Sequence, residues 1–414
     1  MSIQPRKVLP AFSLLAKPVG AACNLACEYC FYLSKEHLYP GSPFRMTDEV
    51  LKAYIEQLLA SQPAPEVSVS WQGGEPTLMG LDFYKRSVEL VKKYKRPGQR
   101  VTYTLQTNGT RLDDEWCAFF KEQHFLIGLS MDGPPEMHNA YRVNKSGQGS
   151  FDQVKRGWDL LQKHKVDTNI LCAVHAANAY RPLEVYRFFR DDIQAEFIQF
   201  IPIVERLTPG TSLPAGRRRR ELPGGKRPFC VQEGALVSQY SVKSRQYGIF
   251  LIDVFEEWIH QDVGRVFVQM FDSALASWCG LPSSVCVFQE TCGLSLMLEH
   301  NGDMYSCDHF VEPGYRLGNI LENPMIELVR SSRQHQFGLD KRDRLPASCR
   351  ACQVSFACHG ECPRNRFLKT PGGDEGLNYL CDSYRLFFQH VARPMRRMAE
   401  LLRMGRAPAE IMEM

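Results

Sequence analysis

Short apolar runs alternate with longer amphipathic stretches through the first half of the chain. The runs at 12–16, 67–71, 101–106, 125–131, 168–174 and 197–202 have the length and apolar character of strands. Between them, residues near 47–60, 80–95, 113–123, 152–164 and 180–190 carry helical spacing. Thr47 and Asp48 supply a start signal for the first helix, and Asp113 with Asp114 for the third. Six strands separated by five helices predict parallel βαβ units and an α/β fold. Curled on itself, such an array is a partial (β/α)6 TIM barrel with its site at the C-terminal ends of the strands.

The notable motifs fall at those ends. Gly73-Gly74-Glu75-Pro76 follows the second strand, Gln106-Thr107-Asn108-Gly109 follows the third, and Ser130-Met131-Asp132-Gly133-Pro134 ends the fourth. A cysteine group follows the first. Four motifs on one rim is what a single site requires. Farther on, Pro209, Gly210, Pro214, Gly216, Pro223 and Gly224 predict a loop over about 205–232. Its Arg217–Arg220 run reads as solvated surface rather than a patch for an acidic partner. A helix is expected at 244–261, and another from Val391 to Gly405, with Pro394 in its first turn. The expected division is a barrel at 1–232, a helical connector at 233–278, a cysteine-rich domain at 279–390 and a helical tail at 391–414.

Composition changes this picture only through cysteine. With 44% hydrophobic residues, 23% charged and a formal charge of +4, the 414-residue chain calls for neither a nucleic-acid nor a membrane partner. No apolar run reaches the roughly 18 residues of a membrane span. Fifteen cysteines are the anomaly. The first residues lack the pattern of a secretory signal. A cytoplasmic protein is expected, with clustered cysteines binding metal rather than forming disulfides.

Cys23, Cys27 and Cys30 form C-x3-C-x2-C. Three thiolates cap three irons of a cubane and leave the fourth open to a small molecule. Zinc, the alternative, usually takes four ligands. The motif resembles that of the radical S-adenosylmethionine (SAM) superfamily, C-x3-C-x-aromatic-C, with Tyr29 as the aromatic. The resemblance implies a [4Fe–4S] cluster that binds SAM and cleaves it to a 5′-deoxyadenosyl radical. It also implies that backbone groups and an acidic residue of the Gly73–Pro76 loop hold the methionyl amine.

Eight later cysteines offer ligands for two four-thiolate cubanes or two zinc sites: Cys286, Cys292, Cys307, Cys349, Cys352, Cys358, Cys362 and Cys381. Their spacing resembles that of the SPASM domain. That resemblance implies one auxiliary cluster on Cys286, Cys292, Cys307 and Cys362 and another on Cys349, Cys352, Cys358 and Cys381, making three [4Fe–4S] clusters in all. Cys117 and Cys172 read as core residues. Cys230 and Cys279 have no partner at ligand spacing.

Gln72–Thr77, Leu105–Gly109, Gly128–Pro134, Phe200-Ile201, Leu317–Ile320 and Leu377–Tyr379 add to this pattern. Together with the SPASM spacing and Asp308 they resemble the anaerobic sulfatase-maturating enzymes, from about Leu14 to Phe388. The resemblance implies oxidation of a Cys or Ser of an unfolded or nascent sulfatase polypeptide to Cα-formylglycine, with flavodoxin or ferredoxin as electron donor. It implies Asp308 as the base, with the neighbouring His309 a weaker candidate, and the auxiliary clusters as an electron outlet. It further implies Tyr29, Gly74, Ser130, Arg142 and Val204 as SAM contacts, Arg142 pairing with the methionyl carboxylate. One rival is another SPASM enzyme, which crosslinks a peptide or matures a quinoprotein. The eleven residues before strand one are too few for the leader-binding domain such an enzyme would use. The other rival is a non-catalytic iron–sulfur electron carrier, which gains nothing from an open iron.

Overall fold

The computed structural model describes residues 11–207 and 237–413. The Arg217–Arg220 run, Cys230 and most of the expected loop lie outside the described residues. The six expected strands form at nearly the expected limits: β1 Ser13–Lys17, β2 Glu66–Trp71, β3 Arg100–Thr107, β4 Phe125–Ser130, β5 Asp167–Val174 and β6 Phe197–Pro202. All pair in parallel, in chain order. Helices cover the outer face. This is why β4 and β5 read as near-continuous apolar runs: parallel strands are buried on both faces.

The helix start signals act as expected. The Thr47 side chain accepts from the Val50 N–H to cap Asp48–Ser61, and Asp113 accepts from Trp116 to cap Asp114–Glu122. The first of these helices buries Leu51, Tyr54, Ile55, Leu58 and Leu59. Each such side chain contributes roughly 1.5–3 kcal/mol on leaving water. Two features depart from expectation. A short helix, Pro135–Tyr141, follows β4 directly. The helix expected at 180–190 begins at Pro182, whose fixed φ suits a first turn, and ends in a π-helical turn, Phe188–Asp192.

The cysteine-rich half does not form a separate layer. A two-residue strand, β7 (Phe267–Val268), extends the sheet beyond β6. At the opposite edge, β8 (Ser295–Glu299) runs parallel to β1, in register from Ser13↔Ser295 to Lys17↔Glu299. Strands β9 (Asp303–Tyr305) and β10 (Arg316–Asn319) follow antiparallel. The result is one ten-stranded sheet, ordered β10-β9-β8-β1-β2-β3-β4-β5-β6-β7. Because β9 runs back antiparallel, Tyr305 lies level with Met297 and Leu15, and the chain after it carries Cys307 and Asp308 along the flank of β1.

Helix Ser244–Gln261 forms as expected and packs on Cys381–His390. A Cβ at Gly248 would lie 2.7 Å from the Ser383 backbone, so the two helices touch through a glycine. Helix Ala392–Arg403 follows, with Pro394 in its first turn. Among the described residues, no helix is long and apolar enough to cross a membrane.

Candidate active site

The loop after β1 carries the first three thiols, with Cys27 buried and Cys23 and Cys30 half-buried. Asn24 anchors the loop, donating to Thr110 Oγ1 at 2.8 Å and accepting from Asn108 Nδ2 at 3.0 Å. The three thiols line one cavity of about 200 Å³ together with Tyr29, Gly74, Ser130 and Arg142. Burial first, and then the charge of neighbours including Cys30, pushes the Cys27 thiol up to about 12. Burial, then Glu75 and Cys27, raises Cys23. A bound metal would displace these protons and hold the thiolates. Three soft donors, with no fourth cysteine among the described lining residues, fit a cubane with one open iron.

The Gly73–Pro76 loop is locked against the cluster loop. The Gly74 N–H donates to Gly20 O at 2.7 Å, and a Cβ on Gly74 would lie 1.8 Å from Ala22 O. The acidic residue of the loop, Glu75, lines the three-thiol cavity and is buried. Glu75 accepts from Thr77 N (3.1 Å), Thr77 Oγ1 (2.6 Å), Thr107 Oγ1 (2.6 Å) and Asn108 N (2.8 Å). Three of these donors meet Oε1 and one meets Oε2, so Glu75 ties the loop after β2 to the loop after β3 while Oε2 keeps room for a further donor. Gly74→Ala is expected to displace the cluster loop and weaken SAM binding by about tenfold, ~1.4 kcal/mol. Calorimetric titration of the reconstituted protein checks this, and unchanged affinity would remove the loop from the site.

Asp132, fully buried, organises the far wall. Its Oδ2 accepts from the Tyr29 hydroxyl (2.5 Å) and Arg142 Nε (2.8 Å), and its Oδ1 from Ala173 N (2.9 Å). His175 Nε2 lies 3.5 Å away. Burial alone would raise the Asp132 carboxyl. The Arg142 guanidinium and His175 outweigh it and hold the group far below the usual carboxylate range. Arg142 thus pairs with Asp132 inside the chain through Nε, a partner the sequence reading did not foresee. Val204 lines a neighbouring cavity of about 190 Å³, and Ile201 and Ile203 line both that cavity and the one of the three thiols.

Cys286, Cys292, Cys307 and Cys362 line a third cavity, of about 280 Å³, with Asp308, His309 and Lys341. The Cys307 thiol is raised by burial, then by the charge of Cys362, and less by Asp308 and Cys286. The remaining four thiols neighbour one another: Cys358 responds to Cys381 and Cys349, and Cys381 to Cys349 and Cys352. Among the described residues, no three His, Cys, Asp or Glu side chains close on a single point as one ion would require.

Asp308 meets Lys17, the last residue of β1, with Nζ 2.5 Å from Oδ1. Lys17 is buried, donates to Gln72 Oε1 at 2.8 Å and stands 3.8 Å over the Tyr32 ring. Burial opposes ionisation of Asp308, but the Lys17 ammonium prevails and holds its carboxyl below the ordinary value. Burial pushes His309 down to about 4, so it is neutral near pH 7. The sequence reading missed Lys17 and Asp132. One signal was present for each: a lysine closing an apolar strand, and an aspartate inside a motif at a strand end.

Residues 18–188 match the model of the radical SAM superfamily, and residues 286–353 match that of SPASM, an iron–sulfur cluster-binding domain. The barrel, its three-thiol loop and the thiol-rich second half thus define a radical SAM enzyme with a SPASM domain. Over 401 residues the chain is 48% identical to the serine-type anaerobic sulfatase-maturating enzyme of Bacteroides thetaiotaomicron, covering 97% of this chain and 94% of that relative. It is 34% identical to the cysteine-type anaerobic sulfatase-maturating enzyme of Clostridium perfringens, covering 92% and 97%. The solved structure of native anSMEcpe with bound AdoMet superposes with a TM-score of 0.81 at 34% identity, covering 94% of this chain and 99% of that one. The chain belongs to the family of anaerobic sulfatase-maturating enzymes.

Proposed function

We propose that this chain oxidises one Cys or Ser side chain of an unfolded sulfatase polypeptide to Cα-formylglycine. The observation that carries the reading is the Lys17–Asp308 ion pair, because Lys17 lines the three-thiol cavity and Asp308 lines the four-thiol cavity. A proton acceptor at that junction lies within reach of both halves of an oxidation. Bringing a side-chain CH2–OH or CH2–SH to the aldehyde or thioaldehyde level removes a hydrogen atom, a proton and an electron. Water then exchanges the sulfur of a thioaldehyde for oxygen. When bound, SAM and the clusters supply the hydrogen-abstracting radical and the outlet for the electron.

The chain's own work is to bind, orient and take the proton. Cys23, Cys27 and Cys30 hold the SAM-binding cluster. Cys286, Cys292, Cys307 and Cys362 hold one auxiliary cluster, and Cys349, Cys352, Cys358 and Cys381 the other. Tyr29, Gly74, Ser130 and Arg142 contact SAM, with Asp132 fixing Tyr29 and Arg142. Val204, the further SAM contact, lines the adjoining cavity together with Ile201 and Ile203, which join it to the three-thiol cavity. Asp308 accepts the substrate proton and is already in its base form at neutral pH. A flavodoxin or ferredoxin donor and a cytoplasmic setting, where thiols stay reduced, complete the reading.

The test is incubation of the reconstituted, reduced protein with SAM and a Cys-x-Pro-x-Arg or Ser-x-Pro-x-Arg peptide. Mass spectrometry is expected to show the serine peptide losing two hydrogens, or the cysteine peptide exchanging sulfur and two hydrogens for one oxygen. SAM cleavage with both peptides unchanged would overturn the substrate assignment.

A further inference from the structure

Two cations beside the auxiliary thiols, one buried and one half-buried, have no part in the reading above. Lys341, 1% exposed, sits in helix Ser332–Asp343. Its Nζ donates to the carbonyls of Cys286 (2.7 Å) and Val287 (2.9 Å). The thiols that bear on its charge are Cys292, Cys362 and Cys286, all from one group. Arg366 donates through Nε to Gly360 O (2.8 Å), through Nη1 to Lys341 O (2.5 Å) and through Nη2 to the carbonyls of His359 and Glu361 (both 2.8 Å). Its thiol neighbours are Cys362 from that group and Cys349 and Cys358 from the other. Its bonds to the carbonyls of His359, Gly360 and Glu361 fix Arg366 on the turn between Cys358 and Cys362, which carries one thiol of each group.

The nearby anion is Glu361, also buried, which accepts from Asn378 Nδ2 at 2.6 Å and Asn365 Nδ2 at 3.1 Å. Two cations against one carboxylate leave an excess of positive charge in the interior. That arrangement is costly unless further negative charge lies against it. Thiolate-ligated iron–sulfur clusters carry net negative charge, and these two thiol groups lie against the two cations.

We propose that Lys341 and Arg366 are built-in counter-cations that raise the reduction potentials of the auxiliary clusters. Lys341 acts on the Cys286, Cys292, Cys307 and Cys362 cluster alone, and Arg366 acts on both. The proposal rests on the ligand assignment given under the proposed function. Its physics is direct. Adding one electron to a cluster adds one negative charge, and a fixed neighbouring cation stabilises the reduced form more than the oxidised one. Net charge and hydrogen bonding are levers by which proteins set cluster potentials. The arrangement favours electron acceptance where a substrate oxidation must deliver an electron. Both are positioning residues: they act through the clusters and touch no substrate.

The experiment is a redox titration followed by electron paramagnetic resonance, on the full chain reconstituted with iron and sulfide. Cys23, Cys27 and Cys30 are changed to Ala so that only auxiliary signals are read, and Cys286→Ala and Cys349→Ala assign the two signals. Lys341→Gln is expected to change the oxidised-to-reduced ratio of the first auxiliary cluster about tenfold at fixed potential, a fall of about 59 mV for a one-electron couple. The second cluster's potential stays in place, and Lys341→Arg restores the first. Arg366→Gln lowers both potentials, and Arg366→Lys, which keeps the charge but not the fork of hydrogen bonds, returns them towards wild type. Full iron content with an unmoved potential in Lys341→Gln overturns the proposal. Should Lys341→Gln fail to hold iron, the Arg366 pair decides: no difference in potential between Gln and Lys overturns it equally. An unsubstituted chain that takes no iron at the eight auxiliary cysteines overturns the ligand assignment itself, and the proposal with it.

Discussion

Asp308→Asn is expected to keep SAM cleavage and to lose aldehyde formation by about 10²–10⁴-fold, the usual contribution of a positioned acid–base group. The substitution preserves shape and removes the ability to accept a proton. It also leaves Lys17 facing a neutral amide where it now has a carboxylate at 2.5 Å. Lys17 keeps its bond to Gln72 and its place over the Tyr32 ring, so the end of β1 and the cluster loop behind it should hold. Measuring 5′-deoxyadenosine by chromatography and the peptide aldehyde by mass spectrometry in one reaction separates the two steps. Iron content guards against a merely structural loss. Product formation at the wild-type rate would remove Asp308 from the role of base.

The second large effect concerns folding rather than chemistry. Asp132→Ala removes a buried carboxylate that serves Tyr29, Arg142 and Ala173 together. What remains is a buried guanidinium without its anion, the situation that costs about 3–5 kcal/mol when one partner of a buried pair is deleted. A denaturant titration of the iron-free chain should show a loss of that order, and reconstituted protein should lose SAM affinity as Tyr29 and Arg142 lose their anchor. Asp132→Asn keeps an acceptor and should lose less. The pH dependence has a definite sign. Asp132 titrates far below the ordinary carboxylate value when folded, so its ionic contribution is complete above about pH 3.9 and declines as pH falls below it. The stability gap between wild type and Asp132→Asn should therefore narrow in acid. A constant gap would mean that the charge of Asp132 contributes nothing.

Much of the molecule was legible in the sequence because much of it is local. Strands β4 and β5 announce themselves as near-continuous apolar runs because they are buried on both faces, while β2 and β3 show the alternation of strands with one face more open. The helix caps at Thr47 and Asp113 act within four residues of themselves. The spacing of Cys23, Cys27 and Cys30 places three thiols on one turn of chain whatever the rest does.

Other features depend on partners far along the chain. Lys17 and Asp308 are 291 positions apart and meet only because β8 adds itself in parallel to β1. No periodicity in either segment encodes that pairing, because backbone hydrogen bonds between strands are indifferent to side-chain identity. Glu75 illustrates the same limit: nothing in its own motif showed that donors from the next loop would meet its carboxylate. Asp132 and Arg142, and Lys341 with Arg366, likewise acquire meaning only from what burial sets beside them. Sequence by itself determined which residues could carry the chemistry and which local elements would hold them. Tertiary structure decided which charges face one another, because electrostatics in a buried site depends on distance through space and not on distance along the chain.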